Sequence, residues 1–358
     1  MIDELRTLMG FYPITADQTA VGHLLDYIEA KLLQKDLYVE RLTNNNVHSL
    51  YASTTGSRNT KIMLQSHVDV VPGGEDFRQD GDVIYGRGCY DMLFAVASFL
   101  TLIGDLDDPK NYDISLLLTG DEETGGFNGT NTILKTGEYG CEICILPDAG
   151  DGLGALSVGA KGIYGLKIRI DGAPHHASRP WEGDGAASKA VQFLSELSSS
   201  FDSSSRDNST LVVTQLETPN TSLNQAPGYA YVGIDIRYKD SADFERIQSN
   251  LHRLMQKYTA AIVFEDHGRH YTLNSKLPVV KQFIDHYAGE MGRSITKSVS
   301  YGSSDARYFD DLHIPVIMFR PDGGNAHGDT EWLSVSSWQK FHAILQKYVT
   351  SVAKKISS

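Results

Sequence analysis

The chain has 358 residues, 41% apolar and 22% charged, the proportions of an ordinary soluble globular protein with room for two domains. A net charge of −13 argues against a nucleic-acid backbone or an anionic membrane surface as partner. Three cysteines, no run of about 18 apolar residues and no basic, apolar leader argue against a disulfide framework, a membrane span and a secretion signal, and point to a cytoplasmic location.

Residues 2–10 read as a short helix broken near Pro13. Asp17 then precedes Val21, Leu24, Leu25, Ile28, Leu32 and Leu33 at helical spacing. Strand-like runs follow at 37–42, 47–53 and 61–70. In the last, Met63-Leu64-Gln65-Ser66-His67-Val68-Asp69, alternation puts His67 and Asp69 on one side. Taken alone, that pair fits a metal ligand with its orienting neighbour, or a solvated edge. Gly86-Arg87-Gly88 opens a turn before Asp91, and 93–106 reads as an apolar helix. A buried strand at 114–118 ends at Thr119-Gly120-Asp121-Glu122-Glu123. After a helix over 130–134, a strand at 143–146 ends at Pro147-Asp148. Cys141 and Cys144 spell CxxC, but without a second pair, and inside an apolar run, they read as buried thiols. This alternation implies an α/β fold: a mixed, largely parallel sheet with helices on both faces and its chemistry at the carboxyl ends of strands.

Composition shifts after Gly159. A strand at 162–171, a helix at 185–199, strands at 210–217 and 229–237, a helix at 242–258 and a strand at 261–265 follow in β-α-β-β-α-β order, the ferredoxin-like signature. The serine-rich stretch 198–209 is a loop within that unit. From about Tyr271 the pattern returns to a helix (279–291), a strand (314–319) and a final helix (336–356). The expected organisation is a discontinuous catalytic domain, 1–160 and 271–358, interrupted by an inserted domain, 161–270.

Five potential ligands lie at strand ends or in the turns after them: His67, Asp91, Glu123, Asp148 and His327. Imidazole with carboxylate suits zinc, or cobalt and manganese, and the lack of thiolates speaks against a structural zinc site. Five ligands exceed a closed tetrahedral site; if one carboxylate bridges, they serve two metals with open positions for water. The doublet Glu122-Glu123 is a solvated loop when read in isolation. Beside these neighbours it divides into Glu123 on metal and Glu122 as general base, taking a proton from water and returning it to the leaving amine.

His67-Val68-Asp69, Gly86-Arg87-Gly88-Cys89-Tyr90-Asp91-Met92, Asp121-Glu122-Glu123, Asp148 and Ala326-His327 together resemble the di-zinc exopeptidase and deacylase family, which includes glutamate carboxypeptidase, acetylornithine deacetylase, succinyl-diaminopimelate desuccinylase and several dipeptidases. The resemblance runs in order along nearly the whole chain. It implies that Asp91 bridges two zinc ions, one also held by His67 and Asp148, the other by Glu123 and His327. It further implies that Asp69 hydrogen-bonds His67 and fixes its tautomer, and that the Asp91–Met92 bond is cis. Pro174-His175-His176-Ala177-Ser178-Arg179-Pro180 resembles the family's lid motif. His176 falls where an imidazole reaches the neighbouring subunit's site to stabilise an oxyanion, which implies a homodimer formed through the inserted domain. Asn224 falls at a further lid position, with substrate contact in trans and a turn residue as its two readings. Tyr301-Gly302-Ser303-Ser304-Asp305-Ala306-Arg307 resembles the segment with which the deacylases hold a substrate carboxylate, through Gly302 and the planar donor fork of Arg307; an internal Asp305–Arg307 pair is the competing reading.

Two departures bear on substrate. Leu93-Phe94 stands where a lysine often follows Asp-Met. Asp148 stands where deacylases and carboxypeptidases carry glutamate, and the shorter acid of the aminopeptidase-like and dipeptidase members leans toward a peptide substrate. The leading expectation is a di-zinc hydrolase of small peptides. The alternatives are an N-acyl-amino-acid deacylase and an inactive metal-containing binding protein.

Overall fold

The computed structural model describes residues 1–355 other than Ser203, Arg206, Thr221, Tyr301 and Ser303. The expected last turn of the final helix at Ile356, two residues of the serine-rich loop, and Tyr301 and Ser303 of the Gly302 segment therefore lie outside the described residues. Two compact units emerge, one of residues 1–159, 272–300 and 304–358, the other of 160–271 with 301–303.

The larger unit is built on a six-stranded sheet. Its strands are β1 (Tyr38–Asn44), β2 (Val47–Ser53), β3 (Asn59–His67), β4 (Ile114–Thr119), β5 (Gly140–Ile145) and β6 (Val316–Ile317), in the order β1-β2-β4-β3-β5-β6. β1, β2 and β4 pair antiparallel, while β4, β3, β5 and β6 run parallel. Every residue of β4 is buried, the mark of a strand covered on both faces. Helix Gln18–Leu33 starts where the Asp17 carboxylate accepts the Ala20 amide at 3.1 Å, and it buries Val21, Leu24, Leu25, Ile28 and Leu32. Helix Leu93–Gly104 is apolar almost all round and correspondingly buried, with Leu93 through Leu100 wholly inside. The C-terminal helix Val335–Ala353 packs on it through Phe341 edge-on to Phe94 and a Trp338 Nε1–H bond to Ser98 Oγ of 2.8 Å.

Register places the chemistry. His67 pairs with Thr119 across β3 and β4, and Leu64 with Ile145 across β3 and β5, so the carboxyl ends of the three strands come out side by side. A second sheet, of Arg78–Asp80, Val83–Tyr85, Trp332–Ser334 and Gly323–Gly324, was not legible as strands in the sequence. It joins the turn before Asp91 to the loop bearing His327.

The smaller unit has the strands Gly162–Asp171, Thr210–Glu217, Tyr229–Tyr238 and Ala260–Gly268 in one antiparallel sheet, with Gly162–Asp171 and Tyr229–Tyr238 central, and helices Ala186–Ser198 and Ser241–Tyr258. That is the ferredoxin-like arrangement. Ile168, Ile170, Phe193, Val232, Ile236 and Leu251 are fully buried in its core, each contributing about 1.5–3 kcal/mol.

The differences from expectation have local causes. The strand carrying His67 ends at that residue, three residues earlier than the apolar run suggests, because Val68 and Val70 leave the ladder to bond Thr119 O and Pro13 O. Strands Ala155–Ala160 and Thr296–Ser300 pair in a further sheet where the sequence reading had loop, and the strand expected at 314–319 shrinks to Val316–Ile317. Among the described residues no helix is long and apolar enough to cross a membrane.

Candidate metal centre

The backbone around Asp91 is shaped by positions that tolerate no side chain. Gly86 and Gly88 have φ of +130° and +82°; a Cβ on Gly88 would meet Leu93 Cδ1 at 2.9 Å, and one on Gly86 would meet Met9 Cε at 2.5 Å. The chain then enters the buried helix Leu93–Gly104 through a cis Asp91–Met92 bond, as the resemblance implies. On the other side His327 sits at φ +64°, a left-handed conformation uncommon outside glycine and asparagine and one that recurs at functional sites.

Ligand atoms of His67, Asp91 and Glu123 lie within 4.8 Å of one another. The two oxygens of Asp91 face different imidazoles: Oδ1 is 3.2 Å from His67 Nε2, and Oδ2 is 3.1 Å from His327 Nε2. His327 Nε2 is also 2.8 Å from Glu123 Oε2. Asp148 stands three residues beyond β5, and its Oδ2 is buried without a hydrogen-bond partner among the described residues. Burial, then the Asp91 charge, push the Asp148 carboxyl up to about 6, against the pull of His67, Ser304 and Arg320.

Electrostatics explain what the cluster requires. Burial, followed by Asp148, Asp305 and Asp91, holds the Glu122 carboxyl well above the usual range, against the pull of His67. Burial would lower the His67 imidazole, but hydrogen bonding to Asp69 and Asp91 carries it well above its ordinary value. Asp91 and Glu123 raise His327 to about 10. Burial would raise Asp91, but bonding to His327 and His67 takes it well below the carboxylate range. Positive charge at these imidazoles would neutralise carboxylates that otherwise repel. The donor set of two imidazoles and several carboxylates, with one buried carboxylate oxygen unpartnered, fits divalent cations of the zinc type. Cys89, Cys141 and Cys144 take no part, each thiol pushed up by burial.

Asp69 does more than the sequence suggested. His67 Nδ1 is 2.9 Å from the Asp69 main-chain carbonyl and 3.5 Å from its Oδ1. The fully buried carboxylate accepts the Glu122 amide on Oδ1 at 3.2 Å, and on Oδ2 the Glu123 amide at 3.2 Å and Thr15 Oγ1 at 2.8 Å. One aspartate therefore pins the turn that bears both glutamates.

Other expected residues fall as follows. Asp305 Oδ2 accepts Thr130 Oγ1 and Gln65 Nε2, and burial pushes its carboxyl up to about 7 against the pull of Thr130 and the Arg307 charge. Arg307 is buried and donates from Nη2 to Gly125 O at 2.7 Å and to Tyr308 OH at 3.0 Å, so it braces the segment following Glu123. Gly302 is exposed. Within the smaller unit, His175–His176 pairs with Gln225–Ala226, and the Asn224 carbonyl accepts the Ala177 amide at 2.8 Å, which brings Asn224 beside the His176 turn. His176 Nδ1 accepts the Ser178 amide at 3.2 Å, which leaves Nε2 as the proton-bearing nitrogen of the neutral ring.

Glu331 escaped the sequence reading. It is completely buried, 4 residues after His327, and its carboxylate bonds Arg87 Nη1 and the amides of Gly88, Tyr90 and Asp91. A single acid in a polar loop carries no signal by itself. Arg320, stacked 4.4 Å over the Tyr90 ring and donating to Gly150 O and Asp148 O, escaped for the same reason.

A mixed α/β sheet with imidazoles and carboxylates converging at its strand ends defines a metal-dependent hydrolase. Residues 63–351 match peptidase family M20/M25/M40, and the chain belongs to that family. Succinyl-diaminopimelate desuccinylase of Rickettsia felis is 26% identical over 98% of this chain and 99% of its own length, and that of Xanthobacter autotrophicus is 27% identical over 91% and 92%. A tripeptidase structure from Staphylococcus aureus superposes with a TM-score of 0.84 at 18% identity, covering 99% of this chain and 98% of that one.

Proposed function

We propose that this chain is a di-zinc hydrolase that cleaves the amide bond of a small peptide. The observation that carries the reading is Asp91, whose two carboxylate oxygens address His67 and His327 separately, with Glu123 and Asp148 at hand. In it, His67 and Asp148 would hold one ion, Glu123 and His327 the other, and Asp91 would serve both. Such ions supply a polarised substrate carbonyl and a water acidic enough to lose its proton near neutrality. Glu122 takes that proton on its carboxylate and delivers it to the nitrogen of the leaving amine. Its burial among acidic neighbours suits the task, because burial first and then those charges raise its affinity for a proton. Asp69 holds the Glu122–Glu123 turn, and Arg307 braces the same turn at Gly125.

In this reading the smaller unit is a lid and dimerisation domain. His176 of a second copy donates from Nε2 to the carbonyl oxygen as it becomes an oxyanion, with Asn224 beside it. The Ser178 amide bond to Nδ1 supports that tautomer. An N-acyl-amino-acid deacylase is the second reading, favoured by the desuccinylase relatives. Turnover of di- and tripeptides against acetyl- and succinyl-amino acids, with zinc and with cobalt, separates the two: a peptide preference is expected, and turnover of acyl-amino acids alone would replace it with the second reading. Mixing His176→Ala with Glu122→Ala protein restores activity if the imidazole acts in trans; no restoration in a mixed dimer overturns that role.

A further inference from the structure

We infer that Glu331 is a positioning residue that sets the distance between Asp91 and His327 and so pre-forms the shared metal position, an inference that rests on the metal reading above. Both oxygens of this wholly buried carboxylate are fully committed. Oε1 accepts the Tyr90 amide at 2.8 Å and the Asp91 amide at 2.9 Å, while Oε2 accepts Arg87 Nη1 at 2.7 Å and the Gly88 amide at 3.0 Å. Its main-chain carbonyl accepts the Gly86 amide at 3.1 Å. The turn 86–91 is thus wrapped around one side chain, its amides aimed inward where water does not reach them.

The same residue is tied to His327. Arg87, clamped by Glu331, donates from Nη2 to the Gly328 carbonyl at 3.0 Å, next to the histidine. Trp332, the next residue along, pairs with Tyr85 across the small sheet. The loop from His327 to Glu331 therefore carries a ligand at one end and the backbone anchor of another ligand at the other. With Asp91 N held at 2.9 Å and His327 Nε2 standing 3.1 Å from Asp91 Oδ2, the two ligands cannot drift apart without breaking buried charge-assisted bonds. Groups that fix ligands in this way are worth about 10–100-fold in metal affinity.

Glu331→Gln tests the inference. A carboxamide offers one oxygen, so whichever way it turns, an NH2 faces two donors among Arg87, Gly88, Tyr90 and Asp91. Zinc affinity of the chelated protein is measured by competition with a chromophoric chelator, beside Arg87→Met, which removes the ion pair and the Gly328 bond but leaves the amide bonds to Oε1 in place. The weaker zinc-binding step is expected to lose about tenfold or more in Glu331→Gln and to lose less in Arg87→Met, which frees the His327 loop at Gly328 but keeps the Asp91 amide anchored. Affinity in Glu331→Gln within about threefold of wild type, or an equal loss in both variants, overturns the positioning role and leaves Glu331 a partner of Arg87. Should Glu331→Gln fail to fold, Glu331→Asp keeps the charge but shortens the reach, and the same comparison applies to it. Wild-type protein that takes up no zinc would refute the metal reading itself, before any variant is compared.

Discussion

Replacing Asp69 with asparagine tests whether one buried carboxylate holds the catalytic turn. The native group accepts three hydrogen bonds, two from the amides of Glu122 and Glu123 and one from Thr15. In asparagine one oxygen becomes an NH2. If it replaces Oδ1, the Glu122 amide faces a donor; if it replaces Oδ2, the Glu123 amide does. Thr15 can rotate to accept, but a backbone amide cannot. Either rotamer therefore leaves one buried amide without an acceptor at a site that lost its charge, which costs about 1.5–3 kcal/mol. The turn relaxes by moving its head, which carries Glu122 and Glu123 with it, and a displacement of about 1 Å in such groups lowers turnover roughly 100-fold. Urea unfolding of the chelated protein and steady-state kinetics of the zinc-loaded enzyme read the two effects. The expected result is lower stability together with a large fall in kcat and a small change in KM. A variant with wild-type stability and kcat within about threefold would refute the pinning role.

Glu122→Gln is expected to lower kcat by about 10²–10⁴-fold, or about 2.7–5.4 kcal/mol of barrier, while metal analysis finds wild-type content. Retained turnover removes Glu122 as the base. In chelated protein, His327 is raised to about 10 and Asp148 to about 6, so the folded state binds more protons than the unfolded chain. The His327 contribution is full below the unfolded value near 6.5 and is lost as pH rises through about 10; that of Asp148 is lost between about 4 and 6. Chelated protein should therefore melt lower at pH 9 than at pH 6.5, and zinc uptake should release protons in calorimetry and strengthen as pH rises; a flat profile contradicts the assignment. A Cβ on Gly323 would lie 2.2 Å from Tyr90 Cδ2 and 2.6 Å from Trp332 O, so Gly323→Ala should weaken zinc binding as it forces the His327 loop off the Asp91 turn. Unchanged chelator competition would show that the two loops move independently.

The proposed ligand residues were legible because chemistry and strand ends coincide in the sequence. His67 closes an apolar strand, Glu122-Glu123 follows a strand buried throughout, and Asp148 follows a third. Parallel register then carries those ends to one edge whatever the rest of the chain does. The ferredoxin-like unit was legible for a similar reason, since strand and helix periods change in a fixed order. What tertiary structure alone decided is how the ligands are held. Asp69, placed by sequence as a neighbour of His67, turns its carboxylate to amides 53 and 54 residues away, and Arg307 turns inward to Gly125. Glu331 acquires its meaning from a small sheet whose strands are two or three residues long, too short to leave a periodic pattern. Hydrophobic periodicity records which face of an element is buried. The partner of a buried polar group is set by contacts between segments remote in sequence, and only the folded chain specifies it.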